Sequence, residues 1–285
     1  MSKEAEKRGG STVYRVLSQD LYATGFHGDE VGIRQDEQWR AKSRQFTSDS
    51  DIIGKIMEAR LKPGEKNLPP RVKTGFIVLR NSTWGQEPDE MKRRLVVKMF
   101  SSSGQWIASA EEMVADEYAN SVASEMPLVS FAVLTKDTEI VTHVRQLRRG
   151  VASTESYSFH MPGPDGTFEV FNIEGKRATA GDDFRVMLLS GSVEVAQIDS
   201  KFGDIGGEFV VSVNDRILAE NDQFCRILQC FSLIIRYRKD IRERIQRSLD
   251  MLTHGKAKPK QHRYELSLFI NPRRLALKKD EFEEV

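Results

Sequence analysis

Residues 221–252 read NDQFCRILQCFSLIIRYRKDIRERIQRSLDML, an apolar half followed by a half dense in charge. Asn221 or Asp222 is placed to cap a helix whose apolar positions Phe224, Ile227 and Leu228 share one face. Ser232 to Tyr237, with Leu233-Ile234-Ile235 at its centre, reads as a short hydrophobic strand. Lys239 to Leu252 reads as the clearest helix in the chain, with Ile241, Ile245, Leu249 and Leu252 on one face, Arg242, Arg244 and Arg247 off it, and Gly255 to terminate it. A helix, a strand and a second helix in succession predict a mixed fold.

Toward the N-terminus, short apolar stretches bounded by turn residues predict strands at 74–80, 94–100, 128–134, 140–147, 168–173, 184–189, 192–198 and 209–213, with Gly191 turning between two of them. A helix is predicted over 52–61, capped by Ser50 or Asp51 and stopped by Lys62-Pro63-Gly64. Ser109 and Glu112 have the spacing of a capping box, so a second helix is predicted through Met113, Val114, Tyr118 and Val122 to Met126-Pro127. Residues 13–51 read as irregular, 159–166 as a turn-rich connection and 264–270 as a late strand. Strands that follow one another without helical crossovers indicate antiparallel pairing. The expected fold class is therefore α+β: a mostly antiparallel sheet packed against several helices, one core domain over 13–255, a disordered arm over 1–12, and a basic C-terminal segment with an acidic end over 256–285.

At 285 residues and 39% hydrophobic content, the chain can bury a sizeable core. No apolar run approaches the roughly 20 residues of a bilayer span, and the charged start MSKEAEKRGGS lacks the apolar stretch of a secretory signal. Two cysteines, Cys225 and Cys230, cannot make a disulfide framework and point to a reducing compartment. Phosphate-binding loops, G-x-S-x-G elbows and H-E-x-x-H pairs are all missing from the sequence, and the cysteine spacing does not suit zinc. The five histidines are scattered, and His143 reads as an ordinary strand residue. The expectation is a protein that is not an enzyme and needs no cofactor or metal.

Charge carries the strongest signal. From Arg236 to Lys279 there are fourteen Lys and Arg against four acids, a net +10, so the other 241 residues carry −9. Such segregation points to an anionic partner for the C-terminal part. Lys256, Lys258, Lys260 and Arg263 surround Pro259 in a segment poorly suited to a helix, and Arg273, Arg274, Lys278 and Lys279 form a second patch. These eight are the candidate contacts for nucleocapsid, phosphate or acidic lipid, or for nuclear import. Arg242, Arg244 and Arg247 make a candidate secondary basic face, and Trp106, in a Ser/Gly-rich turn, a candidate anchor for self-association or a membrane interface.

The order of elements over about residues 74–240 resembles that of rhabdovirus matrix proteins. The residues that carry the likeness are Val97-Lys98-Met99 before a polar turn with Trp106 and a helix, Gly191-Ser192-Val193-Glu194-Val195 as a later strand, and Phe224 to Tyr237 as a helix leading into a hydrophobic strand. The resemblance implies a virion structural protein that self-associates, binds and condenses the ribonucleocapsid and links it to a host-derived membrane with acidic lipids during budding. A plant-infecting, nucleus-replicating member would also meet a viral glycoprotein and a nuclear import receptor, and would occupy host nucleus, cytoplasm and membrane periphery. The family's P-P-x-Y motif is not matched, since Pro69-Pro70-Arg71 is followed by Val72, and its lysine-rich N-terminal arm is reduced to Lys3, Lys7 and Arg8. The alternative is similarity to plant viral movement proteins, which would imply binding of single-stranded nucleic acid through cationic and aromatic groups.

Overall fold

The computed structural model describes residues 12–22, 50–147, 154–163, 167–176, 183–201, 207–256 and Glu265. Twelve strands follow one another around a closed barrel: β1 (Arg15–Leu21), β2 (Ser50–Arg60), β3 (Val72–Arg80), β4 (Val96–Ser101), β5 (Trp106–Glu112), β6 (Ser130–Thr135), β7 (Thr142–Gln146), β8 (Ser156–Pro162), β9 (Phe168–Gly175), β10 (Phe184–Leu188), β11 (Val193–Lys201) and β12 (Glu208–Val213). Every strand pairs antiparallel with its sequence neighbours. β1 meets β12 in register from Arg15↔Val213 to Asp20↔Glu208, which closes the barrel. Two helices join the sequence at the barrel's ends, α1 (Val114–Ser124) and α2 (Arg216–Glu220), and a third, α3 (Asp222–Thr253), fills the middle.

Alternation along the strands supplies the inner wall. Ile77 and Leu79 of β3, Val97 and Met99 of β4, and Phe171 and Ile173 of β9 all point into one core cluster. An eight-stranded barrel can be filled by its own side chains, and a wider one leaves space along its axis. Here α3 occupies that space. From Phe224 to Ile235 only Arg226 escapes burial, the signature of a helix enclosed on all sides. Phe231 packs edge-on to Tyr157 and Phe184, with ring centroids 5.0 and 5.2 Å away, and Phe224 lies 5.1 Å from Phe171.

The direction of α3 follows from its contacts. Asp222 pairs with Arg15 at 2.7 Å, at the end of the barrel where Arg15 lies opposite Arg60 and Val213. Tyr237 meets Trp84, just beyond the opposite end of β3, with centroids 6.2 Å apart. The helix thus enters at one end, traverses the barrel and emerges at the other. There its charged half lies against α1 and the β3–β4 connection.

This closed barrel replaces the expected α+β arrangement of a sheet packed against several helices. Asp222–Thr253 is one helix: the run Phe231 to Ile235 reads equally as strand or buried helix, because neither shows periodicity when every face is covered. The helix expected at 52–61 is β2. Register shifts between Ile52 and Gly54 and between Ile56 and Met57 place the core residues Ile53 and Ile56 three apart, a spacing that imitates a helical face. The apparent capping box belongs to β5, and α1 begins only at Val114 with no side-chain cap at Met113. β1 lies in the segment read as irregular, and β8 runs into the expected connection. The expected strand at 264–270 lies outside the described residues except for Glu265, and the N-terminal arm lies outside them except for Thr12.

Candidate functional site at the helix exit

As α3 leaves the barrel, its cations meet carboxylates carried by the rim. Glu155, before β8, receives Arg242 at 2.6 Å and Arg238 at 3.3 Å. Glu90, between β3 and β4, takes the Nε of Arg247 on both oxygens at 3.1 Å. Arg244 turns inward to the buried carboxylates of Glu112, at the end of β5, and Glu117, on α1, the latter at 2.9 Å. Glu112 also accepts the Leu95 backbone N–H at 2.6 Å, and Glu117 accepts that of Ser130 at 3.1 Å. The arginine spacing that reads as a basic face is therefore a docking pattern for the protein's own rim.

The three residues of that candidate face separate accordingly. Arg244 is 2% exposed, Arg242 is half-buried on Glu155, and Arg247 is the exposed member on Glu90. Burial pulls the Arg244 pKa down, but Glu112 and Glu117 outweigh it and hold the guanidinium above its ordinary value. Burial, followed by the neighbouring Glu112, pushes the Glu117 carboxyl well above its ordinary range despite Arg244. Two enclosed carboxylates facing one guanidinium thus favour a proton on Glu117.

Lys256 is exposed immediately beyond α3, its N–H closing the helix end on the Met251 carbonyl at 2.9 Å. Lys258, Lys260, Arg263, Arg273, Arg274, Lys278 and Lys279 lie outside the described residues. Glu265, however, is buried on α1, where its carboxylate accepts the Ala115 N–H at 2.8 Å and supplies the partner that α1 lacks locally. The sequence offered no signal for this long-range cap, for the Glu112–Arg244–Glu117 cluster or for the Glu155 and Glu90 seats, since each joins residues at least 80 positions apart or on unrelated elements.

Trp106 opens β5 instead of standing in a turn. Its half-buried ring packs on an outer-wall cluster of Ile52, Phe76, Val78 and Phe100, and its Nε1–H donates to Ser109 Oγ at 2.7 Å. Cys225 and Cys230 are buried on α3, where burial raises their thiols to about 11 and about 12. His143 lies in β7, lowered by burial and then by Arg145. Among the described residues no group of three or more His, Cys, Asp or Glu side chains is arranged to hold a metal, and no helix is long and apolar enough to cross a membrane.

No family model, curated protein or solved structure matches the chain. Of the stretches that carry the matrix-protein resemblance, Val97-Lys98-Met99 lies in β4 and Gly191 to Val195 leads into β11, while Phe224 to Tyr237 is continuous helix.

Proposed function

We propose that the protein is a non-catalytic assembly protein that engages a polyanion through the segment beginning at Lys256, the ribonucleocapsid being the polyanion that the matrix-protein resemblance suggests. The supporting observation is the charge composition beyond α3. Arg238, Arg242, Arg244 and Arg247 each face a rim carboxylate, whereas Lys256 to Lys279 carries eight cations against the single acid Glu265, which is turned onto α1. The barrel, filled by its own helix, then serves as a rigid body that presents this charge. Acidic membrane and a second copy of the chain are further partners in this reading.

The test is binding of the full chain to ribonucleocapsids and to a naked single-stranded RNA oligomer across a salt series. Replacing Lys256, Lys258, Lys260 and Arg263 by alanine is expected to weaken both and to reduce the log–log salt slope on the single strand by about three, at roughly 0.7 per phosphate contact. Unchanged affinity and slope would remove the segment from the interface. Tight binding of the naked strand with indifference to ribonucleocapsid would favour the movement-protein reading.

A further inference from the structure

Beside the helix exit, a cleft of about 270 Å³ opens between α3 and the β3–β4 connection, lined by Trp84, Arg93, Asp240, Glu243, Arg244 and Arg247. Its charges are mixed and spatially ordered. Asp240 and Glu243 stand exposed on one turn of α3, next to Trp84, whose ring Tyr237 braces at right angles. Arg93 is held to the wall by its Nε–H, which donates to the Glu87 carbonyl at 2.6 Å. Arg244 is the buried member of the lining. Its Nη2 serves Glu112 and Glu117, and its Nη1 approaches Tyr118 Oη at 3.4 Å, but its buried Nε has no hydrogen-bond partner.

A simple anion entering here would suit Arg93 and the Arg244 guanidinium but would face Asp240 and Glu243. A simple cation would suit those carboxylates and Trp84 but would face three guanidinium groups. A molecule that carries both charges a few bonds apart meets neither objection. We propose that the cleft binds a small zwitterion, its oxyanion directed to Arg93 beside the Arg244 guanidinium and its ammonium group to Trp84, Asp240 and Glu243. The volume lies just under the 300–1,000 Å³ common for drug-sized ligands, so the occupant is of headgroup size. A free phosphorylated amine and a zwitterionic lipid headgroup share this chemistry.

Calorimetric titration of the full chain with phosphocholine, inorganic phosphate and choline separates the possibilities. Phosphocholine is expected to bind at least tenfold tighter than either single-charge ion. Trp84→Ala and Glu243→Gln are each expected to weaken it about three- to thirtyfold, the range of a cation–π or charged contact. Glu243 is exposed, so Glu243→Gln tests the cation seat even where Trp84→Ala disturbs the packing on Tyr237. Co-sedimentation with phosphatidylcholine vesicles, which carry no net charge to attract the basic segment, assigns the lipid source if it occurs and the soluble source if only free phosphocholine binds. The proposal falls if phosphocholine gives no binding, if phosphate or choline binds as tightly, or if Glu243→Gln leaves the affinity unchanged.

Discussion

Arg244 holds two buried carboxylates, and the contribution of each depends on where the proton sits. Removing the arginine strands the Glu112 charge with no access to water, so Arg244→Met is expected to cost about 3–5 kcal/mol, measured by chemical denaturation at neutral pH. Glu117→Gln should behave differently. An amide keeps an acceptor for the Ser130 N–H and offers Glu112 a donor as the protonated acid does, so the change is expected to fall within about 1 kcal/mol or to stabilise. The folded pKa of Glu117 lies above its ordinary 4.5, so the stability it contributes is fully present below that pH and is lost as pH rises through the folded value. The difference in stability between Glu117→Gln and the native chain should therefore grow toward neutral pH. A pH-independent difference would show that Glu117 titrates alike in the folded and unfolded chain. Trp106 makes a related point at the same scale: a tryptophan whose N–H is satisfied by Ser109, three residues on, has a wall position to hold, and its packing on Phe76 and Phe100 accounts for its size.

At the scale of elements, eight of the twelve strands were legible because each combined a period-two or continuous apolar pattern with turn residues at its ends. The failures have specific physical origins. β2 was hidden by its two bulges, which break the alternation that defines a strand. The central helix was divided because enclosure on all sides erases the amphipathic stripe over Phe224 to Ile235, and the stripe returns only where Ile241 and Ile245 face the rim and Asp240 and Glu243 face solvent. At the candidate site, Lys256 and its basic neighbours were legible as charge, but the acids that claim Arg242, Arg244 and Arg247 could not be, since pairing across a barrel leaves no local spacing to read. The helix supplies its own test. Cys225 and Cys230 sit on its enclosed half with thiols raised to about 11 and about 12, so labelling by a thiol reagent is expected only through unfolding. Phe231→Ala removes a ring packed on Tyr157 and Phe184, and a cost of about 3–5 kcal/mol should accelerate labelling of both thiols together. Rapid labelling of the native chain would mean that the helix leaves the barrel far more easily than its packing implies.

For the whole molecule, the barrel and its filling are one cooperative unit. The inner wall residues Ile77, Met99, Phe131, Phe171 and Val211 belong to the same cluster as Phe224, Leu228 and Ile235, so the inner wall has no core apart from the helix. A chain ending at Glu220 keeps all twelve strands and loses α3. It is expected to lack a cooperative unfolding transition by near-ultraviolet circular dichroism and to expose apolar surface, whereas a sharp transition near that of the full chain would show that the strands close without the helix.

The threading of α3 also orders events during synthesis. Strand β1 must wait for β12, nearly two hundred residues later, and even then the wall encloses nothing until the helix emerges from the ribosome. For most of its translation the nascent chain is a succession of hairpins whose apolar faces have no place to go, with two unpaired edges at β1 and the newest strand. Translation rate and holding chaperones, more than the stability of any hairpin, should therefore govern how much of this protein reaches its closed form.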